Sequence, residues 1–339
     1  MRLSSVLPIL LFFFSCSRSA LSNPPEELGK VDWQRDFDRG LERASLEDKP
    51  VFLLFQEVPG CVTCRNYGNE VLSHPLIVEA IETLFVPVAI FNNKGGKDAE
   101  VLRYYNEPSW NNPVVRIVDY DRLDIVPRVS GNYSQLGVVQ AMVFALERRG
   151  RAIPAYLQLL CEELQARQQG VETTTLSMYC FWTGEKALGQ LEGVVATEAG
   201  FMDGREVVQV TYNPKSISFE KLVKAGQQAR CADRVYAHDE IQKAAASAVL
   251  GEGRAGSKST FRPDREPKYY LSKTHYRFVP MFPLQAARAN ALIGQGKSPE
   301  EVLSPGQVEL ARQAKDQPGK KWENAIGRDM MEAWRWEGG

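Results

Sequence analysis

Five apolar residues in a row, Val51-Phe52-Leu53-Leu54-Phe55, run without a polar interruption. A strand of that length and pattern has to be covered on both faces, which places it inside a sheet that carries helices on each side. The neighbouring sequence supplies those helices. From Asp32 to Glu47 the apolar Trp33, Phe37, Leu41 and Ala44 recur at helical spacing. After Cys61-Val62-Thr63-Cys64, Ser73 and Pro75 offer an N-cap and a first-turn proline for a helix reaching about Leu84. Val86 to Phe91 predicts a second strand, Asp98 to Tyr105 a helix, Val114 to Asp119 a third strand and Ile125 to Ser130 a fourth. Gln135 to Arg149 closes the unit as an amphipathic helix, so residues 27–150 are expected to form an α/β domain.

A break follows at Gly150 to Pro154, and residues 151–172 read as a helical connector in which Ala155 to Gln169 carries Cys161 as an inert, buried thiol. A second α/β unit, residues 173–272, has strand candidates at Thr174 to Tyr179, Gly193 to Phe201 and Val207 to Tyr212. Its helix candidates are Thr183 to Gln190, Phe219 to Ala229 and Asp239 to Leu250. Gly251 to Lys258 reads as a flexible loop. Residues 273–339 form a C-terminal extension with helical stretches at Pro283 to Ile293 and Pro305 to Ala314. A chain of 339 residues accommodates two such units at roughly 100 to 200 residues per domain. With 41 Lys+Arg against 42 Asp+Glu, the formal charge of -1 removes any global electrostatic reason for nucleic acid as the main partner.

Met1 and Arg2 lead into an apolar run from Val6 to Phe14, then into small and polar residues and Pro24-Pro25. A short apolar core with one preceding charge reads as a secretory signal over residues 1–22, and it is too short to span a bilayer. Cys16 stands where a bacterial lipoprotein would carry its acylated cysteine, an alternative to cleavage after Ser22. No later segment approaches 18 uninterrupted apolar residues, so the mature chain is expected to lack a transmembrane span and to work in the periplasm or cell envelope.

Six cysteines in a chain of this length are too few for a disulfide scaffold, so their positions matter more than their number. Cys61 and Cys64 lie between a buried strand and a helix. Unpaired amides at a helix N-terminus favour a thiolate at Cys61, and Cys64, three residues on, is spaced to resolve a mixed disulfide. A structural disulfide and half of a zinc site compete with that reading. The zinc alternative needs further ligands, and His74, His238 and His275 are scattered singly, so no metal is expected. The strand led by Lys49-Pro50, the Cys61-Val62-Thr63-Cys64 motif and the Asn112-Pro113 step before the third strand together resemble the thioredoxin fold. Val58-Pro59-Gly60-Cys61 resembles in particular those thioredoxin-like proteins whose first sulfur position can be selenocysteine. The resemblance implies a redox-active pair, and a cis-proline at Pro113 abutting it.

Tyr179-Cys180-Phe181-Trp182-Thr183-Gly184-Glu185 is the second informative string. By itself a cysteine beside two aromatics reads as a core thiol. Its continuation is more specific: Leu191-Glu192-Gly193, Gly200-Phe201, Glu206-Val207-Val208-Gln209-Val210-Thr211-Tyr212-Asn213-Pro214 and His238-Asp239-Glu240. In order and spacing these residues, over about 100 positions with gaps, resemble the A-type peptide methionine sulfoxide reductases, which reduce methionine-S-sulfoxide. The resemblance implies that Cys180 is a nucleophile attacking the sulfoxide sulfur, that Phe181 and Trp182 pack around the substrate methyl, and that Glu206 is the catalytic acid. The competing reading of Glu206 is a solvated carboxylate at a strand start. A sulfenic acid left on Cys180 needs a second thiol, for which Cys231 is the nearest candidate in sequence. The sequence departs from that family at three points. Tyr179 replaces a glycine and is expected to crowd the nucleophile. The loop before Glu206 is cut to Met202-Asp203-Gly204-Arg205. The segment that should hold an Asp and a Tyr against the sulfoxide oxygen is reduced to Gly226–Tyr236.

The expectation is therefore an α/β chain: a thioredoxin-like domain, then an α+β methionine sulfoxide reductase A-like domain, then a helical extension. It would act as an exported oxidoreductase using no cofactor, on a protein or peptide carrying methionine sulfoxide, with an external thiol reductant. The alternatives are a thiol-disulfide oxidoreductase whose second domain only binds clients, and an envelope scaffold with inert thiols.

Overall fold

The computed structural model describes residues 25–229, 232–257 and 259–334. The leader over residues 1–22, with Cys16, and the resolving candidate Cys231 lie outside the described residues.

A short 3-10 turn at Glu26–Leu28 precedes α1 (Phe37–Glu47), β1 (Val51–Gln56), α2 (Val62–Glu70), α3 (Pro75–Leu84), β2 (Val86–Phe91), α4 (Lys97–Tyr104), β3 (Val114–Val118), β4 (Val129–Ser130) and α5 (Gln135–Arg148). The strands form one sheet in the order β2-β1-β3-β4. β1 runs parallel to β2 and antiparallel to β3, and β3 is antiparallel to β4. Strand alternation divides the β1 side chains between two cores. Val51, Leu53 and Phe55 face Phe37, Leu41 and Ala44 of α1 and Val101 and Leu102 of α4. Phe52 and Leu54 face Tyr67 of α2, Leu76 and Ile77 of α3, and Val138, Val139 and Met142 of α5. All five residues of the apolar run are buried, as such a run requires, and so is Gln56, which ends the strand.

Several local expectations are corrected. The first helix begins at Phe37 and not Asp32, because Asp36 caps it through the Arg39 N–H while Gln34 forms a bridge to Val88 of β2. His74, not Ser73, occupies the N-cap of α3, and the Ser73 hydroxyl instead donates to the Gly68 carbonyl at 2.8 Å. The fourth strand shrinks to Val129–Ser130, since only Asp124, outside it, also bridges to β3.

The connector is α6 (Ala155–Gln169), whose Tyr156, Leu157 and Leu160 join the first domain's core. Then come β5 (Glu172–Ser177), α7 (Phe181–Gly189), β6 (Val194–Met202), β7 (Arg205–Tyr212), α8 (Phe219–Gln228), β8 (Arg234–Ala237), α9 (Glu240–Leu250), β9 (Ala255–Ser257) and β10 (Arg262–Pro263). They form a sheet in the order β10-β6-β7-β5-β8-β9, antiparallel except for the β8–β9 pair. β8, β9 and β10 were not expected. The segment read as a flexible loop lends Ala255–Ser257 to the sheet edge, where backbone pairing with Val235–Ala237 outweighs its Gly- and Ser-rich composition. One sheet face packs Leu176, Val208 and Val210 against Phe181, Leu188, Leu222 and Ala246 of α7, α8 and α9.

α10 (Tyr269–Ser272) ends the second unit, and the extension holds α11 (Pro283–Gly294), α12 (Pro305–Asp316) and α13 (Met330–Ala333). It joins the two units. Phe282, Leu284 and Met330 enter the first domain's core, while Arg288 on α11 donates to the carbonyls of Gly189 and Leu191 at the end of α7. Between them lies a cleft of about 710 Å³ lined by residues of both units and of the extension, among them His74, Glu163, Arg167, Gln209, Met281 and Met330. Among the described residues no helix is long and apolar enough to cross a membrane.

Candidate functional site

Two thiol groupings stand on the two sheets, each at the start of a helix. In the first, Cys61 is the N-cap of α2, with extended backbone (φ -72°, ψ 177°), and is exposed, whereas Cys64 is one turn inside and fully buried. Their sulfurs are 3.4 Å apart. The Cys61 thiol is held below its ordinary pKa chiefly by the backbone N–H of Cys64, with the Cys64 thiol and Thr63 adding to it. Burial pushes the Cys64 thiol up to about 11. One sulfur is thus prepared to attack and the other to stay protonated until a mixed disulfide forms.

The surroundings hold this difference in place. Cys64 Sγ donates to Asn112 Oδ1 at 2.8 Å, and the same oxygen accepts from the Glu57 N–H at 3.2 Å. Asn112 precedes Pro113, and the bond between them is cis, as the resemblance to the thioredoxin fold implies; Val58-Pro59 is cis as well. Gln56, buried at the end of β1, donates to the carbonyls of Glu27 and Cys64. The Glu27 carboxylate accepts from Gly60 N–H at 2.7 Å. No Cβ fits at Gly60: it would lie 2.4 Å from the Glu57 carbonyl oxygen and 2.7 Å from Cys64 Cβ. Glu27, Glu57 and Asn112 escaped the sequence reading as partners of this pair. Of the three, only Asn112 stood in a recognised motif.

In the second grouping, Cys180 is the N-cap of α7, partly exposed and with extended backbone (φ -140°, ψ 111°). Glu206, on β7, turns its carboxylate onto the N–H of Phe181 at 2.9 Å, the first amide of the helix and the residue next to the nucleophile candidate. The strand places it there because Met178 N–H bonds the Glu206 carbonyl at 2.8 Å, so β7 runs beside the chain entering Cys180. The Phe181 ring is buried against Phe201 at 5.3 Å and Trp182 at 5.7 Å. Trp182 is covered by Tyr269, the rings stacked at 3.7 Å and 14°. In this conformation Tyr269, near the end of the second unit, stacks over the expected aromatic wall; Tyr269-Tyr270-Leu271 resembles a later landmark of the same reductases, but nothing in its spacing pairs it with Trp182. Below it a buried ion pair, Lys268 Nζ to Glu185 Oε1 at 2.7 Å, ties the chain before α10 to α7.

Two further expectations are corrected or resolved. Tyr179 does not crowd the nucleophile: it is 94% exposed and directed away from the core. Tyr236 lies on the other sheet face, clustered with Met202 and Val207, and its hydroxyl donates to the Met202 carbonyl. Glu206 and Val208 share the face of α7, so Tyr236 is not positioned to serve Cys180. Asp233 is exposed and 3.7 Å from Arg205. Cys161, half-buried on α6, has its thiol pushed up to about 11 by burial, in keeping with an inert role.

Residues 32–119 match the family described as thioredoxin-like. Peptide methionine sulfoxide reductase MsrA of Methanococcus maripaludis (strain C5 / ATCC BAA-1333) is 35% identical over 69 residues, covering 15% of this chain and 44% of that protein. The enzyme of the same name from Pseudomonas aeruginosa (strain LESB58) is 28% identical over 151 residues, covering 32% of this chain and 69% of that protein. The chain spans less than half the length of the first of these relatives. Among solved structures, one described as DsbH Oxidoreductase aligns over 38% of this chain and 93% of its own, with a TM-score of 0.31 and 15% identity. The chain thus combines a thioredoxin-like domain with a region similar to peptide methionine sulfoxide reductases.

Proposed function

We propose that the protein is an exported oxidoreductase that returns methionine-S-sulfoxide in proteins or peptides to methionine, with Cys180 as nucleophile and the Cys61–Cys64 pair as its regenerating reductant. The observation that carries the reading is the contact of Glu206 with the Phe181 amide. It sets a carboxyl group beside the cysteine at the head of α7, where a proton has to reach the sulfoxide oxygen.

The chemistry balances in three steps. The Cys180 sulfur attacks the sulfoxide sulfur, the S–O bond breaks, and the oxygen ends on Cys180 as a sulfenic acid while methionine leaves. A second thiol, Cys231 or one of the first pair, condenses with the sulfenic acid and releases water. Where Cys231 has condensed, Cys61 attacks that disulfide; in either route Cys64 then attacks Cys61 and expels the other sulfur as a thiol, leaving the Cys61–Cys64 disulfide for an external thiol reductant to reset. Fusion in one chain raises the effective concentration of the reducing pair.

A second reading is a thiol-disulfide oxidoreductase whose second domain binds clients without reducing them. It is favoured by Tyr236 facing away from Cys180 and by Tyr269 covering Trp182. Turnover of a peptide carrying methionine-S-sulfoxide, followed by mass spectrometry with dithiothreitol, separates the two. Loss with Cys180→Ser but not with Cys61→Ser/Cys64→Ser, which dithiothreitol bypasses, supports the first. No turnover by wild type, with disulfide reduction of insulin retained, replaces it with the second. Export is checked by the N-terminal residue of the protein recovered from cells: a start at Asn23 or a lipidated Cys16 supports it, and a retained Met1 opposes it.

A further inference from the structure

The turn that carries the first thiol pair brings a carboxylate back onto the sulfurs. Ligand atoms of Glu57, Cys61 and Cys64 all lie within 4.8 Å of one another. Glu57 ends the run out of β1, and the chain reverses through Val58-Pro59-Gly60 before α2 begins. The reversal is as tight as backbone allows, since any Cβ at Gly60 would meet both the Glu57 carbonyl and Cys64. Glu27 holds its apex through the Gly60 N–H.

We propose that in its dithiol state this cluster is a zinc site, with Cys61 Sγ, Cys64 Sγ and a Glu57 carboxylate oxygen as ligands. Two thiolates on tetrahedral zinc, with Zn–S bonds of about 2.3 Å, stand roughly 3.8 Å apart. The sulfurs here are 3.4 Å apart and need only a small separation to reach that span. Two sulfur donors and one oxygen suit zinc and disfavour magnesium or calcium, which take oxygen ligands. Cys61 is exposed and Glu57 half-buried, so the ion has a route in and its fourth position falls to water. On binding, zinc displaces the two thiol protons and forms two Zn–S bonds with no change of oxidation state. The consequence is regulatory: a zinc-bound pair has no free thiolate to attack a disulfide, and an oxidised pair has no thiolate for zinc. The inference needs only the reduced pair and is independent of any chemistry at Cys180.

The test uses the full chain, reduced and then freed of reductant. Titration with Zn²⁺ is expected to show one ion bound per chain and release of about two protons at neutral pH. Co²⁺ in its place should give thiolate-to-cobalt charge-transfer absorption and the intense visible bands of a tetrahedral site. Cys61→Ser/Cys64→Ser should abolish both signals. Glu57→Gln, with folding checked by circular dichroism, should bind zinc about ten-fold or more weakly. Zinc binding unchanged in Glu57→Gln, persisting in the double cysteine variant, or absent from the reduced wild type would each overturn the proposal.

Discussion

Cys61 and Cys64 share one helical turn yet have opposite acid–base character, because one sulfur sits at the exposed start of α2 and the other is enclosed. Alkylation should report the difference directly. With its pKa held below the ordinary thiol value, Cys61 deprotonates first as pH rises, whereas Cys64 at about 11 remains a thiol through neutral pH. Iodoacetamide at pH 7 should therefore mark Cys61 and leave Cys64 unmodified, as peptide mass mapping will show. Equal labelling would contradict the assigned roles. The two positions and their order were readable in the sequence, since a cysteine at the junction of strand and helix is defined by local spacing. The acceptor of the Cys64 thiol, Asn112, was not readable as such, because it lies 48 residues away and reaches the sulfur only through the pairing of β1 with β3.

At the scale of elements, each thiol helix depends on a support from another part of the chain. α2 rests on the turn at Glu26–Leu28, with Gly68 so close that a Cβ there would lie 1.9 Å from the Glu26 carbonyl oxygen. Gly68→Ala is expected to destabilise the protein by about 2–3 kcal/mol. Because Glu27 in the same turn holds Gly60, it should also alter the rate of Cys61 alkylation. Urea unfolding and the labelling rate check the two effects. α7 rests on Glu206. Glu206→Ala removes an acceptor from the helix N-terminus and should cost about 1 kcal/mol, while Glu206→Gln keeps an acceptor and should cost less, with thermal unfolding as the measure. If Glu206→Ala unfolds at the wild-type temperature, the contact contributes nothing to the helix. Apolar periodicity made most helices visible. It missed β8, β9 and β10, short segments held by backbone pairing to strands far away in the chain, a property their composition does not encode.

Over the whole molecule the extension is a clamp. Glu163 of α6 accepts from Leu284 N–H at 2.8 Å, and Glu79 of α3 accepts from Ser304 and Gly306 at 2.6 and 2.7 Å. His74 is buried where the first domain borders the interdomain cleft, and burial pulls its pKa down from 6.5 to about 4. The depressed value fixes the sign of its effect on stability. As pH falls, the unfolded chain takes up the proton before the folded one does. The contribution of neutral His74 is fully present above about pH 6.5 and is lost progressively towards pH 4, by up to about 3 kcal/mol. The urea midpoint should therefore fall between pH 7 and pH 4.5 in wild type, and fall less in His74→Leu. An equal fall in both would assign the acid sensitivity to other groups.

By itself the sequence determined the α/β class and the strand and helix on either side of each key cysteine, because these follow from spacing within a few residues, while the cis-proline step came from the resemblance to the thioredoxin fold. Only the tertiary structure decided that Tyr179 points to solvent, that Tyr236 faces away from Cys180, that Tyr269 covers Trp182 and that Glu57 returns to the thiol pair. The physical reason is that sheet register and the packing of the extension choose which side chains share a face, and those choices depend on contacts between residues far apart in the chain.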